Sequence, residues 1–586
     1  MSLLKVLAEQ TKGYRRDSVM TPIFMILEVV LETFIPLLMS SIIDDGVEKG
    51  DMGHILRMGL FMVMAAGFGL FTGIMGGKYG ARASTGLAKN LRKTMFEKIQ
   101  GYSFSNIDKF STAGLVTRLT TDVTNVQNAY QMMLRMFVRA PATLIFAMTM
   151  AFRINSKLAF VYLGAVIFLT IVLSFGIPLV SKYFTRVFKK YDELNASVQE
   201  NISGIRVVKA FVREDFEKKK FGVASGNIYN LFRKAENITV LMSPVMQITI
   251  YTCILLISWL GAKAIVSETM TTGELMALLT YCLNILSSLM IVSFMFIMLT
   301  MSSAAAKRIV EVITEEPTVK NPENPDFDVA DGSIEFKNVF FKYNESEDST
   351  PVLTDVSLKI ESGETVGIIG GTGSAKSTLV SLISRLYDVN SGEVLVGGKN
   401  VKAYDLEELR NEVAVVLQKN ILFSGSILDN LRWGNLEATE DQCREACELA
   451  CADEFIEKLP EKYETHIEQG GTNVSGGQRQ RLCIARTLMK NPKIIILDDS
   501  TSAVDTATDA KIRQSFKEKI PDTTKIIIAQ RISSVQHADK IIVLDDGKID
   551  GIGNHEELIK TNNIYREVYE SQTGGNGDFD ENGGED

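Results

Sequence analysis

The chain has 586 residues, 46% apolar and 23% charged, with six cysteines and a formal charge of −9. That composition excludes a disordered chain, a collagen-like repeat and a disulfide scaffold, and the slight acidity gives no footprint for nucleic acid. A mean hydropathy of +0.10 does not exclude a membrane protein, because it averages over one greasy half and one wet half.

The first 17 residues are amphipathic, with Lys5, Lys12, Arg15 and Arg16, and lack the apolar core and small-residue cleavage site of a signal peptide. They are expected to form a helix on the inner membrane surface. Residues 18–306 then hold six apolar stretches, near 20–43, 55–77, 136–153, 158–180, 240–262 and 275–300. Each approaches the roughly 20 residues that cross a bilayer, which predicts a six-helix transmembrane domain embedded in membrane lipid. Nine Lys/Arg fall from Lys78 to Arg135 and twelve from Lys182 to Lys234, whereas the Asp44–Asp51 connection carries a single Lys. The long basic loops are therefore expected in the cytoplasm, with the N-terminus and everything after the sixth span, at a cell (inner or plasma) membrane. Helical patterns at Leu87–Gln100 and Tyr191–Phe211 predict that spans two to five continue as helices beyond the membrane. Unpaired cysteine spacing fits a reducing, cytosol-facing chain.

Two carboxylates interrupt the first span. Glu28 and Glu32 lie four apart, on one helix face, and Arg135 and Arg139 are also four apart at the inner end of the third. Charges at such depth face protein or a watery cavity. They read either as a cavity that attracts cationic substrates or as structural pairs between helices.

Residues 307–330 read as a polar, Pro-containing linker, and 331–572 as a soluble α/β domain in which short β-rich runs alternate with helices. Within it, strand Thr365–Ile369 leads into Gly370-Gly371-Thr372-Gly373-Ser374-Ala375-Lys376-Ser377 and a helix from Thr378. This is a P-loop pattern: backbone N–H groups cradle phosphate oxygens, Lys376 reaches the β- and γ-phosphates, and Ser377 ligates Mg²⁺. Ala375 stands where the last glycine usually sits and is expected to hold a negative φ. About 120 residues on, Lys493–Asp498 reads as a buried strand ending in a carboxylate suited to Mg²⁺. Cys443, Cys447 and Cys451, four apart, read as packed thiols rather than a metal face. The Gly-rich, acidic tail from 573 to 586 reads as disordered.

Between the P-loop and that strand lies Thr472-Asn473-Val474-Ser475-Gly476-Gly477-Gln478-Arg479-Gln480-Arg481. Its S-G-G-Q ahead of a helix is similar to the signature of ATP-binding cassette (ABC) proteins. On these motifs the chain resembles, over residues 1–572, a half-transporter of the multidrug-exporter type (type IV), a domain-swapped fold with an ABC-type α/β P-loop ATPase domain. The resemblance implies ATP contacts from Tyr343 (on adenine), Gly370 to Ser377 and Thr378. It implies Mg²⁺ ligation by Ser377, Gln418 and Asp498, a D-loop at Ser502–Asp505, and Ser475, Gly476, Gly477 and Gln478 completing a site on a partner chain. Coupling helices are implied near Phe104–Leu115 and Arg213–Phe221.

Two positions depart from that family. Asp499 replaces the usual catalytic Glu, and Gln530 the usual switch His. An Asp carboxylate ends roughly 1.5 Å short of the water a Glu would polarise, and misplacement on that scale costs on the order of 10²-fold in rate. Gln530 donates a hydrogen bond but carries neither proton nor positive charge. Together these imply the degenerate-site subunit of a heterodimeric exporter of amphipathic compounds, paired with a different half-transporter. A homodimer with two slow sites, a dedicated lipid or peptide exporter half, and a non-transporting ATP-binding regulatory protein are the competing readings.

Overall fold

The structure, a computed structural model, describes residues 3–343, 350–499 and 504–573. Ser502 and Ala503 of the expected D-loop, and residues 574–586 of the expected tail, lie outside these. The chain divides into two compact units: residues up to Gln100 together with Phe110–Glu315, and Gly101–Lys109 together with Glu316 onward.

The first unit is helical. After α1 (Leu3–Glu9) come α2 (Arg15–Ser41), α3 (Met52–Gln100), α4 (Phe104–Phe110), α5 (Thr112–Thr117), α6 (Val123–Ile154), α7 (Ser156–Ser203), α8 (Ile205–Ala210), α9 (Glu214–Val266) and α10 (Thr272–Thr314), of which all of α4 but Phe110 belongs to the second unit. Six helical segments among the described residues are long and apolar enough to cross a membrane. The 49 residues of α3 make a rod about 73 Å long, more than twice a hydrocarbon core of about 30 Å. The expected continuation of the spans as long helices is thus present.

Capping residues explain the sharp turns. Asn155, the single residue between α6 and α7, accepts from the backbone N–H groups of Lys157 and Leu158 at 3.1 and 3.2 Å. Thr271 and Glu274 form a reciprocal capping box at the start of α10. Asp44, at the end of span one, accepts from the Thr271 hydroxyl at 2.7 Å and the Gly273 N–H at 2.8 Å, joining the first and last spans.

The N-terminal segment is held more closely than its amphipathic pattern suggests. The α1 helix is short and buries Val6. The Asn90 side-chain amide of α3 donates to the carbonyls of Gln10 and Lys12 at 2.7 and 3.0 Å. The implied first coupling helix is two helices, α4 and α5, parted at Ser111, whose φ is +54°. The implied second lies in the first turns of α9, and the separate short helix there is α8.

The second unit is built on a six-stranded sheet in the order 548–553, 540–545, 365–370, 524–528, 494–498, 413–416. All but the edge strand 548–553 run parallel. Both faces are covered, so strands 494–498, 524–528 and 540–545 read as near-continuous buried runs, whereas the edge strand 548–553 stays largely exposed. Ile494 and Ile496 enter one core, with Val366, Ile368 and Ile526, while Ile495 and Leu497 enter the other, with Ile369 and Ile527. A second, antiparallel sheet is centred on Ile334–Phe341.

Candidate functional site

Ligands of open α/β sheets collect at the carboxyl ends of the parallel strands. Four neighbouring strands deliver side chains there: Gly370 begins the P-loop, Asp498 ends strand 494–498, and Gln530 and Gln418 each lie two residues beyond theirs. Topology thus gathers residues separated by up to 160 positions.

Gly370 has no space for a side chain, since a Cβ there would meet the Leu544 carbonyl at 2.2 Å. Gly373 turns the loop at φ +89°. Ala375 is left-handed, at φ +71° and ψ +22°, and so departs from the expected negative φ. The loop must reverse between Gly373 and the first turn of α11 (Lys376–Ile383), and the left-handed residue at the helix cap makes that reversal. An L-residue bears about 1–2 kcal/mol of strain in that region.

The Lys376 ammonium donates to the Gly370 and Gly371 carbonyls, both at 2.8 Å. Burial holds its pKa below the usual lysine value, opposed by the charges of Asp498 and Asp499. The Ser377 hydroxyl donates to Asp498 Oδ1 at 2.9 Å. Burial raises the Asp498 carboxyl above the usual aspartate range, with the Ser377 hydrogen bond pulling the other way. The Ser377 hydroxyl and the desolvated Asp498 carboxylate are a donor set that would hold a hydrated Mg²⁺, with the Lys376 ammonium beside it to take phosphate charge.

Asp499 also has a positive φ, +49°. Its N–H donates to the Ile528 carbonyl at 3.1 Å, which ties it to the strand that ends beside Gln530. The Gln530 amide donates to Asp499 Oδ2 at 2.7 Å, and the Gln418 amide is near enough to the same carboxylate to favour its charged form. Burial raises Asp499 above the usual range, and those two amides lower it.

Tyr343 is half exposed, and its hydroxyl lies 2.8 Å from the Thr378 hydroxyl in α11. Its ring meets Tyr387 edge-on at 5.1 Å. Tyr387, which sequence reasoning missed, continues this line: its hydroxyl donates to Asp108 of α4 at 2.7 Å, and Phe104 packs against its ring at 6.1 Å. Burial raises the Tyr387 phenol above its usual pKa. Gln572 was also missed: its amide donates to the Gln530 carbonyl at 2.9 Å and accepts from the Ile532 N–H at 2.8 Å, bracing the segment that carries Gln530. No motif marks either residue, because both act through partners distant in sequence.

Ser475 caps the helix Gly476–Leu488, accepting from the Gln478 N–H at 3.3 Å while Gln478 accepts from the Ser475 N–H at 2.9 Å. Ser475 is exposed, and Gly476 and Gly477 form the first turn. Asp505 caps the helix Thr506–Lys519, and its carboxyl is lowered by hydrogen bonds from Thr508. Cys443, Cys447 and Cys451 are buried in the same apolar core, where burial raises the Cys447 thiol to about 12.

In the membrane unit, Arg139 of α6 bridges both carboxylates of α2, at 2.9 Å to Glu28 and 2.8 Å to Glu32. Arg135 joins neither by an ion pair but lines the same cavity of about 500 Å³, as do Glu28 and Glu32. A Cβ at Gly73 would come within 3.2 Å of the Glu28 carboxyl, so the missing side chain makes room for that charge.

Residues 19–290 match the ABC transporter transmembrane region family and residues 353–502 the ABC transporter family. The uncharacterized ABC transporter ATP-binding protein YfiB of Bacillus subtilis (strain 168) is 36% identical over 555 residues, 95% of this chain and 96% of its own. The ATP-dependent lipid A-core flippase of Hahella chejuensis (strain KCTC 2396) is 33% identical over 527 residues, 88% of this chain and 87% of its own. In fold, the chain is similar to a bacterial Atm1-family ABC exporter with ATP bound, at a TM-score of 0.79 and 23% identity over 95% of this chain and 98% of that one. A membrane region of six spans followed by an ATP-binding domain, matched end to end by such relatives, makes the chain a member of the ABC transporter family: an ATP-driven, membrane-embedded half-transporter of exporter fold.

Proposed function

We propose that the chain is the degenerate-site half of a heterodimeric exporter, moving amphipathic compounds outward across the cell membrane with its ATP-binding domain in the cytoplasm. The observation that carries this is the Asp499 carboxylate, already shortened by a methylene and held by the Gln530 amide at 2.7 Å. A carboxylate occupied by an amide donor is a poorer acceptor for the proton of an attacking water.

The binding machinery beside it is complete. Lys376 and the P-loop N–H groups would hold the β- and γ-phosphates, and Ser377, Asp498 and Gln418 would hold Mg²⁺, which would supply positive charge against the phosphates. Tyr343 stacks on adenine. ATP therefore stays bound at this site and turns over slowly. Ser475 to Gln478 present an intact signature to the P-loop of a second chain, whose own Glu and His hydrolyse ATP.

A partner is also supported by the strip that follows α8, where Phe211 and Val212 are exposed beside a cavity of about 340 Å³ lined by Ile202, Ile205 and Phe221. Such apolar exposure on a basic, polar stretch suits a protein neighbour. A second reading, a lipid exporter half, draws on one observation: the lipid A-core flippase of Hahella chejuensis shares 33% of the aligned residues. The two share a mechanism and differ in cargo.

The test is assembly. Purified alone, the chain is expected to hydrolyse ATP slowly, and co-expression with its partner restores turnover. Brisk, cargo-stimulated hydrolysis by the single chain refutes the heterodimer.

A further inference from the structure

We propose that the cavity between α2, α3 and α6 is a subsite for an amphiphile with a zwitterionic head, its anionic group on Arg135 and its cationic group on Glu32. This rests on the export reading above and gives it a cargo class.

The two arginines and two glutamates that meet here sum to zero, so the cavity carries no net charge with which to draw a simple cation. What it carries is an uneven distribution. Arg139 is consumed by both carboxylates, through one nitrogen to Glu28 and another to Glu32. Two acids sharing one base leave a negative excess at that pair. The compensating positive charge sits on Arg135, which makes no hydrogen bond or ion pair among the described residues and whose Nε is buried without a partner. A buried guanidinium N–H left unmatched is costly, and an oxyanion restores what that Nε lacks.

Geometry separates the two poles. Arg135 and Arg139 are neighbours on one face of α6, about one helical turn, roughly 6 Å, apart at their Cβ atoms, so the Glu32 carboxylate held by Arg139 is offset along that face from Arg135. Glu28 is largely enclosed, with 12% of its side chain exposed, whereas Glu32 retains 44% and opens to the cavity. A head whose phosphate and amine lie a few ångströms apart, such as phosphocholine or phosphoethanolamine, spans that interval. Ile35, Ala65, Leu70 and Ile74 line the rest of the cavity and offer apolar surface to a tail. Its volume of about 500 Å³ suits a head and the first carbons of a chain.

The experiment uses the full chain in phosphatidylglycerol nanodiscs and four probes with one tail: dodecylphosphocholine, dodecyltrimethylammonium, dodecyl phosphate and dodecyl maltoside. Equilibrium binding below micelle formation is expected to favour dodecylphosphocholine by about tenfold, one charge-assisted contact, over each of the others. Arg135→Gln removes that advantage and leaves dodecyltrimethylammonium unchanged; Arg135→Lys keeps most of it; Glu32→Gln weakens both amine-bearing probes. Dodecyltrimethylammonium binding as tightly as dodecylphosphocholine returns the cavity to cation recognition, and equal binding of all four reduces it to a tail site. Either result overturns the proposal without needing any variant to fold. ATP-driven uptake of the probes into inside-out vesicles is scored separately. Head selectivity without uptake refutes export and leaves the subsite standing, whereas uptake without selectivity refutes the subsite alone.

Discussion

Asp499 and Gln530 are two departures that act as one, because the Gln530 amide spends itself on the carboxylate it faces, 2.7 Å away. Residues nearby set further tests. Ala375→Gly relieves a left-handed alanine and is expected to stabilise the ATP-binding domain by about 1 kcal/mol, read as a higher thermal midpoint with ATP affinity kept or improved. Burial raises Asp498 on folding, so it takes up its proton at a higher pH than an ordinary aspartate, near 3.9. Acidification therefore adds stability from this group in the ligand-free protein while removing a Mg²⁺ ligand. The Mg²⁺-dependent part of ATP affinity is expected to fade on acidification at a higher pH than an ordinary aspartate would set, and Asp498→Asn to lack it throughout. In the membrane unit, Arg139→Ala strands two carboxylates and is expected to cost about 3 kcal/mol or abolish expression, whereas Arg135→Ala costs little. Yield and thermal stability of the two variants check this contrast.

The helix α4 is seven residues long and holds its place through Tyr387, whose hydroxyl it accepts and whose ring faces Tyr343. Its chain follows α3, and an aromatic line runs from Asp108 through Tyr387 and Tyr343 to Thr378. Tyr387→Ala is expected to leave basal ATP hydrolysis within about threefold while removing most of its stimulation by cargo. A titration of ATPase activity against cargo measures both. Elements such as the P-loop, the strand into Asp498 and the signature helix were legible in the sequence because local chemistry demands them: glycines where backbone meets phosphate, an apolar run where both sheet faces are covered, a Ser–Gln box where a helix begins. Tyr387, Gln572 and Asn90 were not, since each acts through a partner between 42 and 279 positions away. Ala375 misled for a different reason: its handedness follows from loop closure, which residue type alone does not reveal.

Across the whole molecule, six spans and a nucleotide domain could be read from hydropathy and motif order, and the fold and the relatives agree with both. Cargo was less legible. The pair Glu28 and Glu32 left open either a cation site or pairing between helices, and Arg139 bridges both carboxylates. In the proposed division of labour, this chain's P-loop binds ATP and its signature serves the partner's fast site. That division is tested most directly by the ATPase rate of the assembled transporter carrying Asp499→Ala, beside one carrying Ser475→Ala. The account predicts that Asp499→Ala keeps turnover within about twofold, while Ser475→Ala lowers it at least about tenfold by removing a phosphate contact from the partner's site. A loss from Asp499→Ala as large as that from Ser475→Ala would contradict it, because this chain's own site would then be doing the hydrolysis.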